Sequence, residues 1–337
     1  MKDFKKIIFF APLFFTGVIC YGQLDIETFL EGGLADANTY LESYMEPVFI
    51  GTGYAFNSGW YNTARPHRTL GFDLTIQPSM AFVPSSAETF TFNNGDYTNL
   101  RLRDTSRDEF PTIMGANLDA DDIPEIVLVE EGEETLRFTG LTGLGLDETA
   151  APNALYAPTI QLGVGVYKNT ELKIRYIPRI TVGDEGQQIA TDLWGVGVMH
   201  DIKQWIPGIK LLPFDLSAFL GYTSFRTEAE LDEDAPDQLL ELRISGMTAQ
   251  AMISKEISVL TLYGGIGFST SISSLKVKGT FETEDEDFVD PIDFNYTSMG
   301  PRINAGFRVK LFIFTLHAEY ALQQYSTVTA GFGFSYR

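Results

Sequence analysis

From Leu70 to Phe82 the even positions, Leu70, Phe72, Leu74, Ile76, Pro78, Met80 and Phe82, are apolar, and the odd ones, Gly71, Asp73, Thr75, Gln77, Ser79 and Ala81, are small or polar. A period of two belongs to a strand with one oily and one wet face. The same alternation predicts ten strands: Leu70 to Phe82, Tyr156 to Val166, Leu172 to Val182, Leu193 to Ile202, Phe214 to Phe225, Leu239 to Ile253, Ile257 to Thr270, Arg302 to Leu311, Phe314 to Leu322 and Thr327 to Tyr336. In the sixth, the apolar set shifts from Leu240, Leu242 and Ile244 to Met247, Ala249 and Ala251 at Ser245-Gly246, which predicts a β-bulge.

The connections alternate as well. Those after strands two, four, six and eight are short and contain Lys168, Lys203, Lys255 and Lys310; those after strands one, three, five and seven are longer and acidic, as at Asp232-Glu233-Asp234. Bacterial transmembrane barrels have an even strand number, short periplasmic turns and long outer loops. The fold expected is therefore all-β, an antiparallel up-and-down transmembrane β-barrel over residues 67–337. The long connection from Pro84 to Asn153 could hold a further hairpin, with Glu88 to Phe92 and Leu136 to Thr139 as its strands, so twelve is the second count.

Ahead of the strands the period changes. Ile26, Phe29, Leu30, Leu34, Leu41, Tyr44 and Met45 follow helical spacing, interrupted at Gly32-Gly33, which predicts two short amphipathic helices with an acidic second face bearing Asp25, Glu27, Glu31, Asp36, Glu42 and Glu46. Residues 51–67, containing Gly59-Trp60-Tyr61-Asn62-Thr63-Ala64, follow neither period and suggest a packed connector. Residues 23–66 are read as a helical plug or cap. Before them, Lys2, Lys5 and Lys6, an apolar run from Ile7 to Cys20 and small Gly22 resemble a secretory signal peptide over residues 1–22, placing the mature start near Gln23.

Loss of that leader would take Lys2, Asp3, Lys5 and Lys6 with it and move the net charge from −21 to −23, which argues against nucleic acid as a partner. It would also remove Cys20, the one cysteine of the chain, and with it thiolate and disulfide chemistry. Beyond the leader no run of about 18 apolar residues occurs, so a membrane would be crossed by strands.

Three segments carry a resemblance: the Gly59 to Ala64 connector, Thr170-Glu171-Leu172-Lys173-Ile174-Arg175-Tyr176, and the turn His200-Asp201-Ile202-Lys203-Gln204-Trp205-Ile206-Pro207-Gly208. They resemble an uncharacterised family of outer-membrane β-barrel proteins from Bacteroidetes. More distantly, a helical segment ahead of a barrel is similar to the long-chain fatty-acid transporter class, whose N-terminus plugs the lumen. The resemblance implies location in the bacterial outer membrane, with outer-membrane lipid as surroundings. The final strand, with Phe332, Phe334 and Tyr336, is similar to the signal read by the barrel assembly machinery, although Arg337 ends the chain where an aromatic is usual.

If the apolar faces meet lipid, then Asp73, Glu171, Lys173, Arg175, Arg179, Arg302, Arg308, Lys310, His317 and Glu319 face the lumen. Two readings stand: a pathway biased toward anionic solutes, or internal ion pairs in a barrel narrow enough for side chains to fill. The cations would also attract the acidic face of residues 24–46. Inward glycines Gly163, Gly165, Gly331 and Gly333 leave room inside the wall or relieve its curvature. Asp119, Asp121, Asp122 and Glu125 are a weak calcium candidate, since an EF-hand requires glycine where Asp122 stands. No nucleophile or zinc motif surrounds His67, His200 or His317, so no enzyme and no cofactor are expected. The function expected is passive passage of a small, amphipathic or anionic solute not otherwise identified, with a non-conducting barrel that displays acidic loops as the alternative.

Overall fold

Ten strands close one antiparallel barrel in the computed structural model, which describes residues 33–146, 152–183, 188–231, 235, 237–282 and 287–336. The leader expected at residues 1–22, the helical pattern ahead of Gly33 and the terminal Arg337 lie outside those residues. The strands are β1 (Phe72–Phe82), β2 (Ala154–Gly165), β3 (Thr170–Val182), β4 (Ile189–Asp201), β5 (Asp215–Glu230), β6 (Leu239–Ile257), β7 (Leu260–Lys278), β8 (Ile292–Leu311), β9 (Phe314–Leu322) and β10 (Thr327–Tyr336). Each pairs with its sequence neighbours, and β1 closes the circle against β10, from Phe72 opposite Tyr336 to Ala81 opposite Thr327. Along β1 burial alternates at every residue, with Leu74 and Ile76 exposed outward and Thr75 and Gln77 buried inward.

A twelve-strand barrel is excluded. Thr89–Thr91 pairs with Glu109–Pro111, and Leu100–Leu102, Glu125–Glu130 and Glu133–Thr139 form a separate three-stranded sheet. The long connection after β1 is thus a small folded cap, and its two proposed hairpin strands belong to different sheets.

The expected bulge in β6 is absent. Residues 239–257 stay in uninterrupted register with both β5 and β7. Leu240, Leu242 and Ile244 point inward, as do Thr248, Gln250 and Ser254 on the same face, while Met247, Ala249, Ala251 and Ile253 point outward. The backbone phase is constant and the hydrophobic phase inverts. Near the short turns the strand is oily outside and wet inside; near the long loops it packs an apolar inner face on a core and shows Arg243 to the outside. The same inversion hid the first half of β8, where Ile292, Phe294 and Tyr296 face inward and Asp293 and Asn295 outward, so that the strand starts ten residues before the expected Arg302.

Of the two short helices expected, the second is α1 (Leu34–Phe56), which runs on past the expected Met45, and the first lies outside the described residues. The α1 helix runs through Pro47 and Gly51 because both faces are enclosed. A Cβ on Gly51 would lie 2.4 Å from Leu155 Cδ1, and one on Gly53 2.2 Å from Ser271 Oγ, so these glycines let the helix approach the wall. A helix buried on all sides need not be amphipathic. Its side chains join the inward face of the upper barrel and the cap in one apolar core, including Tyr40, Phe49, Phe110, Leu155, Leu242 and Leu275.

Candidate functional site

The interior is occupied by residues 34–67, from the cap to the short-turn rim. The helix begins under the cap at the long-loop end, where the Asp36 carboxylate accepts hydrogen bonds from the backbone N–H groups of Thr98, Asn99 and Leu100 at 2.7, 2.7 and 2.9 Å. The Leu141 N–H donates to the Tyr40 hydroxyl (3.0 Å), and the Tyr44 hydroxyl donates to the Thr142 carbonyl (2.8 Å). Phe92 and Tyr97 stack at 4.0 Å, and burial pushes the phenols of Tyr40 and Tyr97 well above the usual tyrosine range.

At the other end of α1 the last carbonyls meet a cation, as the helix dipole favours. Arg175 donates through Nη1 to the Phe56 carbonyl and through Nη2 to the Ser58 carbonyl, both at 2.7 Å, and through Nε to Gln161 Oε1 at 3.0 Å. Its guanidinium lies over the Trp60 ring, 3.7 Å from the centroid. Gln161 and Gln77 take up the backbone beside it, binding the carbonyls of Trp60 and Gly59. Arg302 donates to Ser58 Oγ (2.8 Å), Gln323 Oε1 (2.9 Å) and Glu319 Oε1 (2.6 Å).

Below this level the connector runs extended to the short-turn rim. Trp60 fits against the wall because a Cβ on Gly197 or Gly221 would lie 3.0 or 2.8 Å from its ring. The Tyr61 hydroxyl lies 2.6 Å from Gln250 Oε1 and 2.9 Å from Asn304 Oδ1. Ser254 and Ser217 bind the N–H and carbonyl of Ala64. His67 ends the plug, with Nδ1 2.8 Å from Glu171 Oε2 and Nε2 3.1 Å from Ser335 Oγ.

Asp73 and Lys173 complete that last cluster. Lys173 pairs with Glu171 and stands 3.7 Å from Asp73 Oδ1. Among the described residues, His67, Asp73 and Glu171 form the one group of histidine and carboxylate ligand atoms close enough to hold a metal. A lysine ammonium already sits between its carboxylates. Gly163 has no side chain there, and a Cβ would lie 2.4 Å from Asp73 Oδ1.

Of the residues expected in the lumen, Asp73, Glu171, Lys173, Arg175, Arg302, Arg308, His317 and Glu319 are buried, and Lys310 is half-buried near the short-turn end. Arg179 is a correction. The register slips between Ile177 and Ile180, around Pro178, and Arg179 turns outward to pair with Glu228. The docking expected between the acidic helix face and the cations is also corrected for Asp36 and Glu46, while Asp25, Glu27 and Glu31 lie outside the described residues. The acidic part of α1 sits at the cap, with Glu46 accepting from the Tyr296 hydroxyl at 2.5 Å, and Arg175 binds carbonyls instead. The calcium candidates do not converge, since Ala120–Asp122 form a 3-10 turn and Glu125 pairs with Arg103. Trp60, Gln161 and Ser58 were missed as interior residues; the signal that could have found Trp60 is the inward glycine series Gly195, Gly197 and Gly221 opposite a buried aromatic.

Comparison with known proteins adds the following. The model of a family of unknown function (DUF6588) matches residues 1–336. Among solved structures, the chain is similar to the translocator domain of the autotransporter NalP from Neisseria meningitidis, at 12% identity and a TM-score of 0.28, over 89% of this chain and 97% of that one. It is similar to Ail, the attachment invasion locus protein of Yersinia pestis, at 12% identity and a TM-score of 0.28, over 50% of this chain and 96% of that one. It is similar to the toluene transporter TbuX of Ralstonia pickettii, at 6% identity and a TM-score of 0.24, over 79% and 89%. No curated protein matches.

Proposed function

The chain belongs to that family, whose function is unknown, and we propose from its own interior that it is an outer-membrane barrel sealed by its N-terminal segment, presenting a folded acidic cap to the outside. The outer-membrane reading is supported by the outward band of Leu74, Ile76, Leu162, Ile174, Val198 and Ile266, all at least 40% exposed on the wall, and by the longest connection, residues 83–153, standing at one rim. Phe332, Phe334 and Tyr336 on β10 offer the assembly machinery its outward aromatic pattern. The observation that carries the sealed reading is the single apolar core shared by helix, upper wall and cap. A free pathway would have to open that core and also strip Arg175 from the Phe56 and Ser58 carbonyls and Arg302 from the Ser58 hydroxyl.

Purified protein in a planar bilayer is expected to be silent. Steady, reproducible conductance from the intact chain would overturn the sealed reading. A second reading, passive uptake of small amphipathic solutes, starts from an apolar recess of about 390 Å³ on the outer face of the wall beside the top of β9, lined by Met299, Pro301, Ile303, Leu322, Gln323 and Gln324. That reading requires the plug to move, and so requires solute flux into liposomes to rise when Arg175 is replaced by methionine.

A further inference from the structure

The outer wall carries a one-sided band of ionised side chains. On the outward faces of β9, β10, β1 and β2 no charged residue occurs, whereas β3, β5, β6 and β7 present Arg179, Arg226, Arg243, Lys276 and Lys278 near the long-loop end. The same rows carry Asp192, Glu228, Glu230, Glu241 and Asp293, so the cations are matched by carboxylates and it is their placement that matters.

Its height is fixed by register. Tyr176 pairs with Trp194, and Trp194 packs against Tyr222 at 5.2 Å, giving an aromatic group at the top of the apolar band. Such girdles mark the lipid headgroup boundary. The next outward row after Trp194 and Ser224 places Asp192, Arg226 and Arg243 side by side, and the row above it Glu228, Glu241, Lys276 and Asp293. At about 3.3 Å per strand residue, Arg226 and Arg243 stand one outward row beyond the aromatics, at headgroup depth, and Lys278 two rows further, from where its ammonium reaches back to Glu241.

The ion pairs orient the patch. Like charges directly opposite one another, Arg226 beside Arg243 and Glu228 beside Glu241, are unfavourable by themselves. They are relieved diagonally: Glu241 accepts from Arg226 (2.9 Å), Lys278 (2.7 Å) and Arg243 (3.4 Å), and Glu228 pairs with Arg179 and Arg226. The carboxylates lie at the root, with side chains 6% (Glu241) and 14% (Glu228) exposed, and the arginines stand forward, at 50% (Arg179) and 51% (Arg243). Among the described residues Arg179 and Arg243 engage only Nη2, which leaves the rest of each guanidinium fork for a further acceptor.

We propose that Arg179, Arg226, Arg243 and Lys278 form a binding site for the phosphate-bearing headgroup of an outer-leaflet lipid. A planar guanidinium matches a phosphate bidentately, and the adjacent apolar wall accepts the acyl chains. The inference rests on the outer-membrane reading, but its test does not.

Diphosphoryl lipid A is titrated into the full-length protein in neutral detergent micelles, and the bound lipid is counted by native mass spectrometry. The wild type is expected to bind it, and Arg179→Gln/Arg243→Gln to bind it about tenfold more weakly. Dephosphorylated lipid A should not bind at the site, and inorganic phosphate in excess should not displace the lipid. Equal affinity in the variant, equal retention of the dephosphorylated lipid, or full displacement by phosphate would each overturn the proposal. Arg243→Gln alone gives up one 3.4 Å contact and keeps the test open if the double variant does not fold. Arg65→Gln/Arg68→Gln, at the opposite rim, should bind as the wild type does. A protein that binds the lipid in micelles yet fractionates away from the outer membrane would refute the location and not the site.

Discussion

The guanidinium of Arg175 lies 3.7 Å above the Trp60 ring while two of its nitrogens hold the Phe56 and Ser58 carbonyls, so one residue of the wall fixes both the end of the helix and the start of the connector. Replacing Arg175 by methionine keeps the volume and removes every donor. Orphaned buried carbonyls and a lost charged partner should cost about 3–5 kcal/mol. Denaturant titration of the micelle-bound protein would read this as a lower midpoint. Arg175→Lys should recover only part of the loss, because an ammonium cannot reproduce the planar fork. Wild-type stability in the methionine variant would remove Arg175 from this role.

Trp60 depends on glycines in the facing wall. A side chain at Gly221 would meet its ring at 2.8 Å, so Gly221→Val should expel the indole from its slot. In a Trp194→Phe/Trp205→Phe background Trp60 is the remaining tryptophan of the three, and its emission should shift to the red. The same Cβ would lie 2.8 Å from the Phe219 ring, so adding Trp60→Ala to Gly221→Val should restore only part of the lost stability. Unchanged emission in the valine variant would contradict the packing.

Asp36 ties the cap to the helix through three backbone N–H groups. Asp36→Ala should cost about 2–4 kcal/mol locally, from three charge-assisted bonds lost in a buried setting. The expected readout is faster proteolysis within residues 84–146, with the barrel remaining intact on gels. Cleavage at the wild-type rate would show that the apolar core alone holds the cap.

The direction of the plug is testable in cells. Leu34 is 41% exposed at the long-loop end and Arg68 is exposed at the short-turn end, with the barrel between them. An impermeant thiol reagent added to intact cells should label Leu34→Cys and spare Arg68→Cys until the outer membrane is permeabilised. The reverse pattern would invert the topology.

Alternation along the chain determined which residues share a face, and so the ten-strand count, the up-and-down order and the inward position of Glu171, Lys173 and Arg175. It did so because a period of two is local: each pleat is set by its own backbone. It did not determine what each face meets. Beyond the aromatic row the outside turns from apolar to charged and the inside from polar connector to apolar helix, so the pattern in β6 inverts with the backbone unchanged and imitates a bulge, and the first half of β8 does not read as a strand. The continuity of α1 through Pro47 and Gly51 was equally illegible, since the barrel wall enclosing the helix, rather than its own propensity, sustains it. Partners followed the same division. Asp36 with the cap, Arg175 with Phe56 and Trp60, and Arg179 with Glu228 join residues 49 to 119 positions apart, distances across which only closure of the barrel brings side chains together.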